Sequence, residues 1–208
     1  METLSTPGGA TRARLPASLR VPALVAVWAS VGVLFAGAAV VGWSRMWSLV
    51  RIPPMWPPFA DLRTITGGLL TLQAGGDPFV DNPFDPWHRP LNYPVIWLTI
   101  FRSLGITDAT VVWFGVLLVV LFLAGVSCLI WRARAVSELA ALLGCTLSFA
   151  SLFVMERGNT DMAAFALVML GLLARPPVVV AAALGAAAML KLFPSAAFVA
   201  ALLRQGRG

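Results

Sequence analysis

Charge is scarce in this chain. Only 12% of its 208 residues are charged and 59% are hydrophobic, whereas soluble globular domains carry about 25% charged residues. That shortage, with long uninterrupted apolar runs, excludes an ordinary soluble domain and indicates an integral membrane protein. Histidine occurs once and cysteine twice. One histidine and no Cys-X-X-Cys spacing leave almost no room for a His/Cys metal site. Cys128 and Cys145 both lie inside apolar runs and read as small buried hydrophobes rather than a disulfide. There is no Gly-rich phosphate loop and no Asp-X-Asp, so no nucleotide, metal or other cofactor is expected. The net charge of +6 comes from scattered residues. With no exposed domain to carry them, these read as topology signals and not as a nucleic-acid surface.

What is present is a series of apolar segments. Pro22–Trp43 runs 22 residues without a charge, about 33 Å of helix and enough to cross a bilayer. The polar, basic segment before it, residues 1–21, has no convincing cleavage site, so a retained first helix is expected rather than a removed signal peptide. Arg12, Arg14 and Arg20 put the N-terminus in the cytoplasm and residue 44 outside. Trp43 suits a membrane interface. Residues 44–107 differ in character and hold most of the prolines. "RIPPMWPPFADLR" and "GGDPFVDNPFDPWHRPLNYP" exclude regular helix, because proline lacks the N–H and clashes with the preceding turn. Between them, Leu62, Ile65, Leu69, Leu70 and Leu72 predict a short amphipathic helix on the membrane surface, ended by Gly75–Gly76. Pro94–Leu104 is too short to span.

Residues 108–208 read as a helical bundle. Ala109–Trp131 spans, and Arg132 and Arg134 return its end to the cytoplasm. Val136–Met155 goes out, Met162–Ala174 comes in and Val178–Leu190 goes out again. Ser195–Leu203 either turns back or continues as a kinked helix. The expected fold is all-α, a polytopic membrane protein with about five or six spans and a long outer loop after the first helix. The expected location is the plasma membrane. Seven of the nine acidic residues then face outside.

One short stretch, "MERGNTDM" at 155–162, interrupts two apolar runs with Glu156, Arg157, Asn159 and Asp161. It is either a solvated turn in which Asp161 caps the next helix, or a group of polar side chains held at the membrane edge for chemistry. Arginine presents a fork suited to phosphate. Lys191 follows a run of apolar residues and either snorkels or pairs with an anion. Asp77, Asp81, Asp85, His88 and Arg89 sit in a Pro-rich loop and read as turn formers, some of which could line an acceptor site.

Taken in order, "FADLR", "GGDPF", "LNYPVIWLTIFRSLG", "ERGNTD" and "GAAAMLKLFP" resemble the membrane glycosyltransferases of GT-C type. The resemblance covers residues 22–203. It is strongest to the bacterial family of polyprenyl-phosphomannose-dependent mannosyltransferases, glycosyltransferase family 87. Members are longer and have more helices, so the resemblance implies an N-terminal half or a truncated member with a missing C-terminal partner. Where the family has Tyr-Pro-Pro this chain has Tyr93-Pro94-Val95, and where it has Gly-Gln this chain has Gly158-Asn159. The resemblance implies transfer of a sugar, mannose or arabinose, from a polyprenyl-phosphate donor to a glycolipid or glycan acceptor at the outer membrane face. It implies Asp61 as the base, with an N-cap as the alternative role for that residue. It further implies Arg63, His88, Tyr93, Arg157, Asn159, Asp161 and Lys191 as substrate contacts. The rival expectation is a non-catalytic membrane subunit or carrier for lipid-linked sugars, or an inactive fragment.

Overall fold

The computed structural model describes residues 15–191, and helices are the only regular structure among them. In chain order they are α1 (Ala17–Val41), α2 (Trp43–Leu49), α3 (Ala60–Gln73), α4 (Ile96–Ser103), α5 (Val111–Arg132), α6 (Val136–Thr146), α7 (Phe149–Arg157), α8 (Asp161–Leu173) and α9 (Pro177–Leu190). The expected hairpin or kink over 195–203 lies outside the described residues.

Two helices, α1 and α5, are long and apolar enough to cross a membrane, and α6 with α7 would make a third if the pair forms one bent span. The all-helical expectation holds among the described residues, but they hold two or three candidate spans and not five or six. The shortfall comes from punctuation. Asp161 at one end and Arg175–Pro176 at the other confine α8 to 13 residues, and α9 has 14. At 1.5 Å per residue each covers about 20 Å, less than the roughly 30 Å hydrocarbon core. The 43° bend between α6 and α7 falls where Ser148 restarts the helix. Its extended backbone and its hydroxyl, which accepts from the Ser151 N–H, form an N-cap.

α1 and α5 run antiparallel. The Arg20 guanidinium donates to the Trp131 carbonyl at 2.6 Å, and Trp28 Nε1 donates to Ser127 Oγ at 2.9 Å. The start of α1 and the end of α5 therefore share one end of the molecule, as the arginine pattern predicts. At the other end the chain departs from expectation. Instead of opening into a loop at residue 44, it breaks at Gly42 (φ 98°) and folds back as α2. Met46 packs against Gly37, which has no side chain to obstruct it. Trp43 is buried in an aromatic cluster with Phe35, Trp47 and Phe59.

α3 also differs from expectation. It is buried on nearly every face and does not lie on a surface. The loop from Asp77 to Leu91 crosses it, with the Phe84–Asp85 backbone close enough to Gly67 that a Cβ there would stand 2.6 Å from the Asp85 nitrogen. The side chains at 82 and 85 carry the polar contacts of this crossing. Asn82 accepts from Thr71 Oγ1 at 2.8 Å and donates to the Thr64 carbonyl at 3.0 Å. The helix ends as the sequence predicts. Gly75 adopts a left-handed φ of 81°, its N–H reaches Leu72 O, and the Gly76 N–H reaches Thr71 O. α4 is short and amphipathic, with Trp97, Leu98 and Phe101 inward. The cysteines are both free thiols, but neither is fully buried: Cys128 is half-buried and Cys145 is exposed. Cys145 occupies an outward face of α6.

α7 ends at Gly158, whose φ is 65°. A Cβ there would lie 2.9 Å from Phe59 and 3.0 Å from Leu62. Both conformation and space demand glycine. Replacing it with alanine should cost at least about 1 kcal/mol from the left-handed backbone alone, and more from the overlap. Gly144→Ala in α6, where nothing lies within 4 Å, should be neutral or gain up to about 1 kcal/mol of helix propensity. Thermal unfolding of both variants in detergent checks this; the Tm should fall only for Gly158→Ala.

Candidate functional site

The turn into α3 positions Asp61. Phe59, itself fully buried with φ 60° and ψ 50°, precedes the helix in place of a capping side chain. Asp61 is therefore not the N-cap. It lies in the first turn, where a carboxylate is favoured by the helix dipole, and its side chain turns to groups from two other segments. Asn159 Nδ2 donates to Asp61 Oδ2 at 2.9 Å, and Arg89 Nη1 stands 3.4 Å from Asp61 Oδ1. The Tyr93 phenol lies beside the same carboxylate. The Asn159 amide orientation follows from its partners. Its Oδ1 accepts from the Asp161 N–H at 2.9 Å, and a backbone N–H can only donate while a carboxylate accepts. One amide thus caps the start of α8 and holds Asp61, the role expected of Asp161 as a cap being taken by Asn159.

Asp161 is released to pair with Lys191, 2.7 Å away at the end of α9. The Lys191 ammonium also lies 5.6 Å from the centre of the Tyr93 ring, so Tyr93 connects the two ion pairs. Burial, followed by the Asp61 charge and hydrogen bond, holds the Tyr93 phenol above its ordinary value of 10.0. It therefore stays a neutral O–H donor. Side-chain exposures of 16% for Asp61, 31% for Arg89, 28% for Lys191 and 37% for Asp161 leave this cluster reachable from outside. An apolar cavity of about 310 Å³ between α5, α7 and α8, walled by Phe122, Val154, Met162 and Phe165, opens beside Asp161.

Five of the eight residues expected at the site come together here or adjoin it: Asp61, Tyr93, Asn159, Asp161 and Lys191. Three stand apart. Arg63 turns to the far side of α3, bonding the Pro58 carbonyl and pairing with Asp108 at 2.7 Å. His88 is exposed on a left-handed turn (φ 52°), its backbone N–H bonded to Asp85 O. Arg157 is committed to structure: it donates to the Pro53 carbonyl at 3.2 Å, lies 4.6 Å over the Phe153 ring and faces Glu156 at 3.2 Å. Glu156, with no exposed surface, accepts from Trp43 Nε1 at 3.0 Å and from the Met55 N–H at 2.8 Å. It ties the 50–58 segment to α7. The "ERGNTD" stretch is thus not a solvated turn, since Glu156, Gly158 and Thr160 are buried and the others are half-buried.

The member that the sequence presents only as one of several loop turn formers is Arg89. Asp85, 1% exposed, positions it. Its carboxylate accepts from the Arg89 N–H at 2.9 Å, from Arg89 Nε at 3.1 Å and from Thr64 Oγ1 at 3.1 Å. The guanidinium also donates to Ala60 O and Thr64 Oγ1 and stacks 4.8 Å over Trp87. The available signal was the Asp85–Arg89 spacing, which reads equally well as turn chemistry. Among the described residues no three His, Cys, Asp or Glu side chains converge to hold a metal. No protein-family model, curated protein or solved structure matches the chain.

Tyr93 is the single tyrosine, so the phenolate ultraviolet band reports it alone. In the folded protein the band should fail to appear as pH rises through 10, and should titrate near 10 once the chain is unfolded in denaturant. A folded-state pKa above the unfolded one leaves the contribution of Tyr93 to stability intact below pH 10 and removes it above. Tyr93→Phe should abolish the band in both states.

Proposed function

We propose that this chain is a membrane glycosyltransferase, or part of one, that takes a sugar from a polyprenyl-phosphate donor, mannose being the leading candidate, and passes it to a hydroxyl of a cell-envelope glycolipid or glycan. The observation that carries the reading is Asp61: a reachable carboxylate flanked by an amide, a phenol O–H and the Arg89 guanidinium, with the Lys191 ammonium on the other side of Tyr93. In such a transfer the acceptor O–H gives its proton to Asp61 while its oxygen bonds to the anomeric carbon. The bond from that carbon to the phosphate oxygen breaks, and the lipid phosphate leaves with the electron pair. Arg89 and Lys191 are the cations available to the leaving phosphate. Asn159 keeps Asp61 aimed and is a positioning residue.

The clustering of Arg20, Arg132 and Arg134 at the end opposite Asp61 supports a cytoplasmic N-terminus and an outward-facing site in the plasma membrane. A second reading, a non-catalytic subunit or carrier for lipid-linked sugars, has one observation behind it: both Asp61 oxygens already have partners within the chain. Membranes from cells expressing the chain, supplied with labelled polyprenyl-phosphate mannose and separately with the arabinose donor, decide between the two. Transfer that falls by about 100-fold or more in Asp61→Asn, the scale of a lost general base, supports catalysis. Transfer unchanged in that variant removes Asp61 as the base, and no transfer from either donor leaves the carrier reading.

A further inference from the structure

The two ends of the molecule differ in how their charges are balanced. Around the Asp61 cluster, acids and bases are interleaved and joined by the ion pairs Arg63–Asp108, Arg89–Asp61, Arg89–Asp85, Arg157–Glu156 and Lys191–Asp161. At the opposite end the described residues supply Arg20, Arg132, Arg134 and Arg175 against the single acid Glu138. Glu138 is used locally, accepting from the Arg134 backbone N–H at 2.7 Å. The positive excess here is unmatched within the described chain.

This end also holds a cavity of about 400 Å³ between α1, α5 and α8, lined by Leu24, Ser127, Cys128, Trp131, Arg132 and Leu173. Its walls are mostly apolar. The Ser127 hydroxyl is already occupied, donating to Leu123 O at 2.7 Å and accepting from Trp28. Arg132 is the one charged group in the lining. Beside it, Trp131 is 44% exposed and carries the Arg20 guanidinium 4.4 Å over its ring. The Arg20 Nε–H is buried with no acceptor among the described residues. An apolar cleft with guanidinium at its rim suits an amphiphile, with an acyl chain between the helices and an anion at the arginines.

We propose that the cleft between α1, α5 and α8 binds one anionic phospholipid, its phosphate at Arg132 and an acyl chain along Leu24, Trp131 and Leu173. A phosphate ion alone would gain nothing from the apolar walls, whereas a phosphodiester lipid uses both. The site is independent of the transfer reaction and lies at the far end from Asp61. An indole at the rim is where tryptophan is favoured, between hydrocarbon and headgroups, and a guanidinium offers the phosphate two parallel donors.

The test uses the full chain in nanodiscs containing equal amounts of phosphatidylglycerol and phosphatidylcholine with matched acyl chains. Lipid retained after extraction into detergent is counted by native mass spectrometry. Phosphatidylglycerol should be retained about tenfold over phosphatidylcholine, the ratio that one charge-assisted contact of about 1.4 kcal/mol would give. Arg132→Gln should bring the ratio near one, and Leu173→Trp, which fills the cleft, should remove both lipids. Arg134→Gln makes the same charge change at the same end but outside the lining, and should leave the ratio unchanged. Equal retention of the two lipids by the unmodified chain overturns the proposal. An equal loss in Arg132→Gln and Arg134→Gln also overturns it, since diffuse attraction would then suffice. Displacement of the lipid by inorganic phosphate would identify a phosphate-ion site instead. Retention that appears only after residues 1–14 are deleted would make the chain's own N-terminus the occupant.

Discussion

Burial of the Phe59 ring is the contact on which the arrangement depends. The ring stands 5.1 Å from Trp43, 6.2 Å from Phe35 and directly against the α-carbons of Gly115 and Gly158. It therefore touches α1, α2, α5 and the α7–α8 turn at once. To reach that position its backbone takes a left-handed conformation that is costly for a bulky residue. Burial of a large aromatic side chain, worth roughly 2–3 kcal/mol, offsets the strain. Two residues later comes Asp61. The geometry that seats the ring also turns the first helical residues of α3 toward Asn159 and Arg89, so packing and site geometry are fixed by the same turn.

Around this wedge, polar groups are arranged so that few face apolar surroundings alone. Asp85 is buried yet accepts from five donor atoms on Thr64, Trp87 and Arg89. Asn82 is buried and bonded at both ends of its amide. Such satisfaction is what a buried carboxylate or amide requires. It also makes the 77–91 loop a rigid cover for α3 rather than a solvated excursion. Arg89 is held from one side by Asp85 and presented to Asp61 on the other. Glu156 does comparable work for the 50–58 segment, and this explains why a carboxylate stands in an apolar helix without facing the cluster.

Much of the helical layout was legible in the sequence. Long apolar runs bounded by arginines gave α1 and α5, and Asp161 and Pro176 bracketed α8. Gly75–Gly76 ended α3, as its left-handed C-terminus demanded. The burial of α3 and the existence of α2 were not legible, because both depend on what covers them. Leu-rich spacing predicts one apolar face, but the threonines and glycines of α3 are buried by a distant loop that approaches only because Gly67 lacks a side chain. At the site, Asn159 was legible as a polar group between apolar runs, whereas Asp61 and Tyr93 were marked only by the family resemblance. Arg89 and His88 are adjacent in sequence and nothing local separates them. The left-handed turn at His88 sends one outward while Asp85 draws the other in. Arg63 and Arg157 are each committed by one partner far off in the chain, Asp108 for Arg63 and the Pro53 carbonyl for Arg157, which their sequence neighbours do not announce.

The short reach of α8 and α9 has a consequence for the surrounding bilayer. Leu173, near the end of α8, shares a cavity with Trp131 and Arg132 at the end of α5, while Asp161, at its start, shares one with Phe122, half-way along α5. With 13 residues against the 22 of α5, α8 falls short of its neighbour by about 13 Å of helical rise. Hydrophobic mismatch of that size is met by thinning of the lipid on that side or by a water-filled funnel leading down to the charges. A group standing in bulk solvent would have to sink to meet the Asp161–Lys191 pair, whereas one already anchored in a membrane would meet it at its own depth.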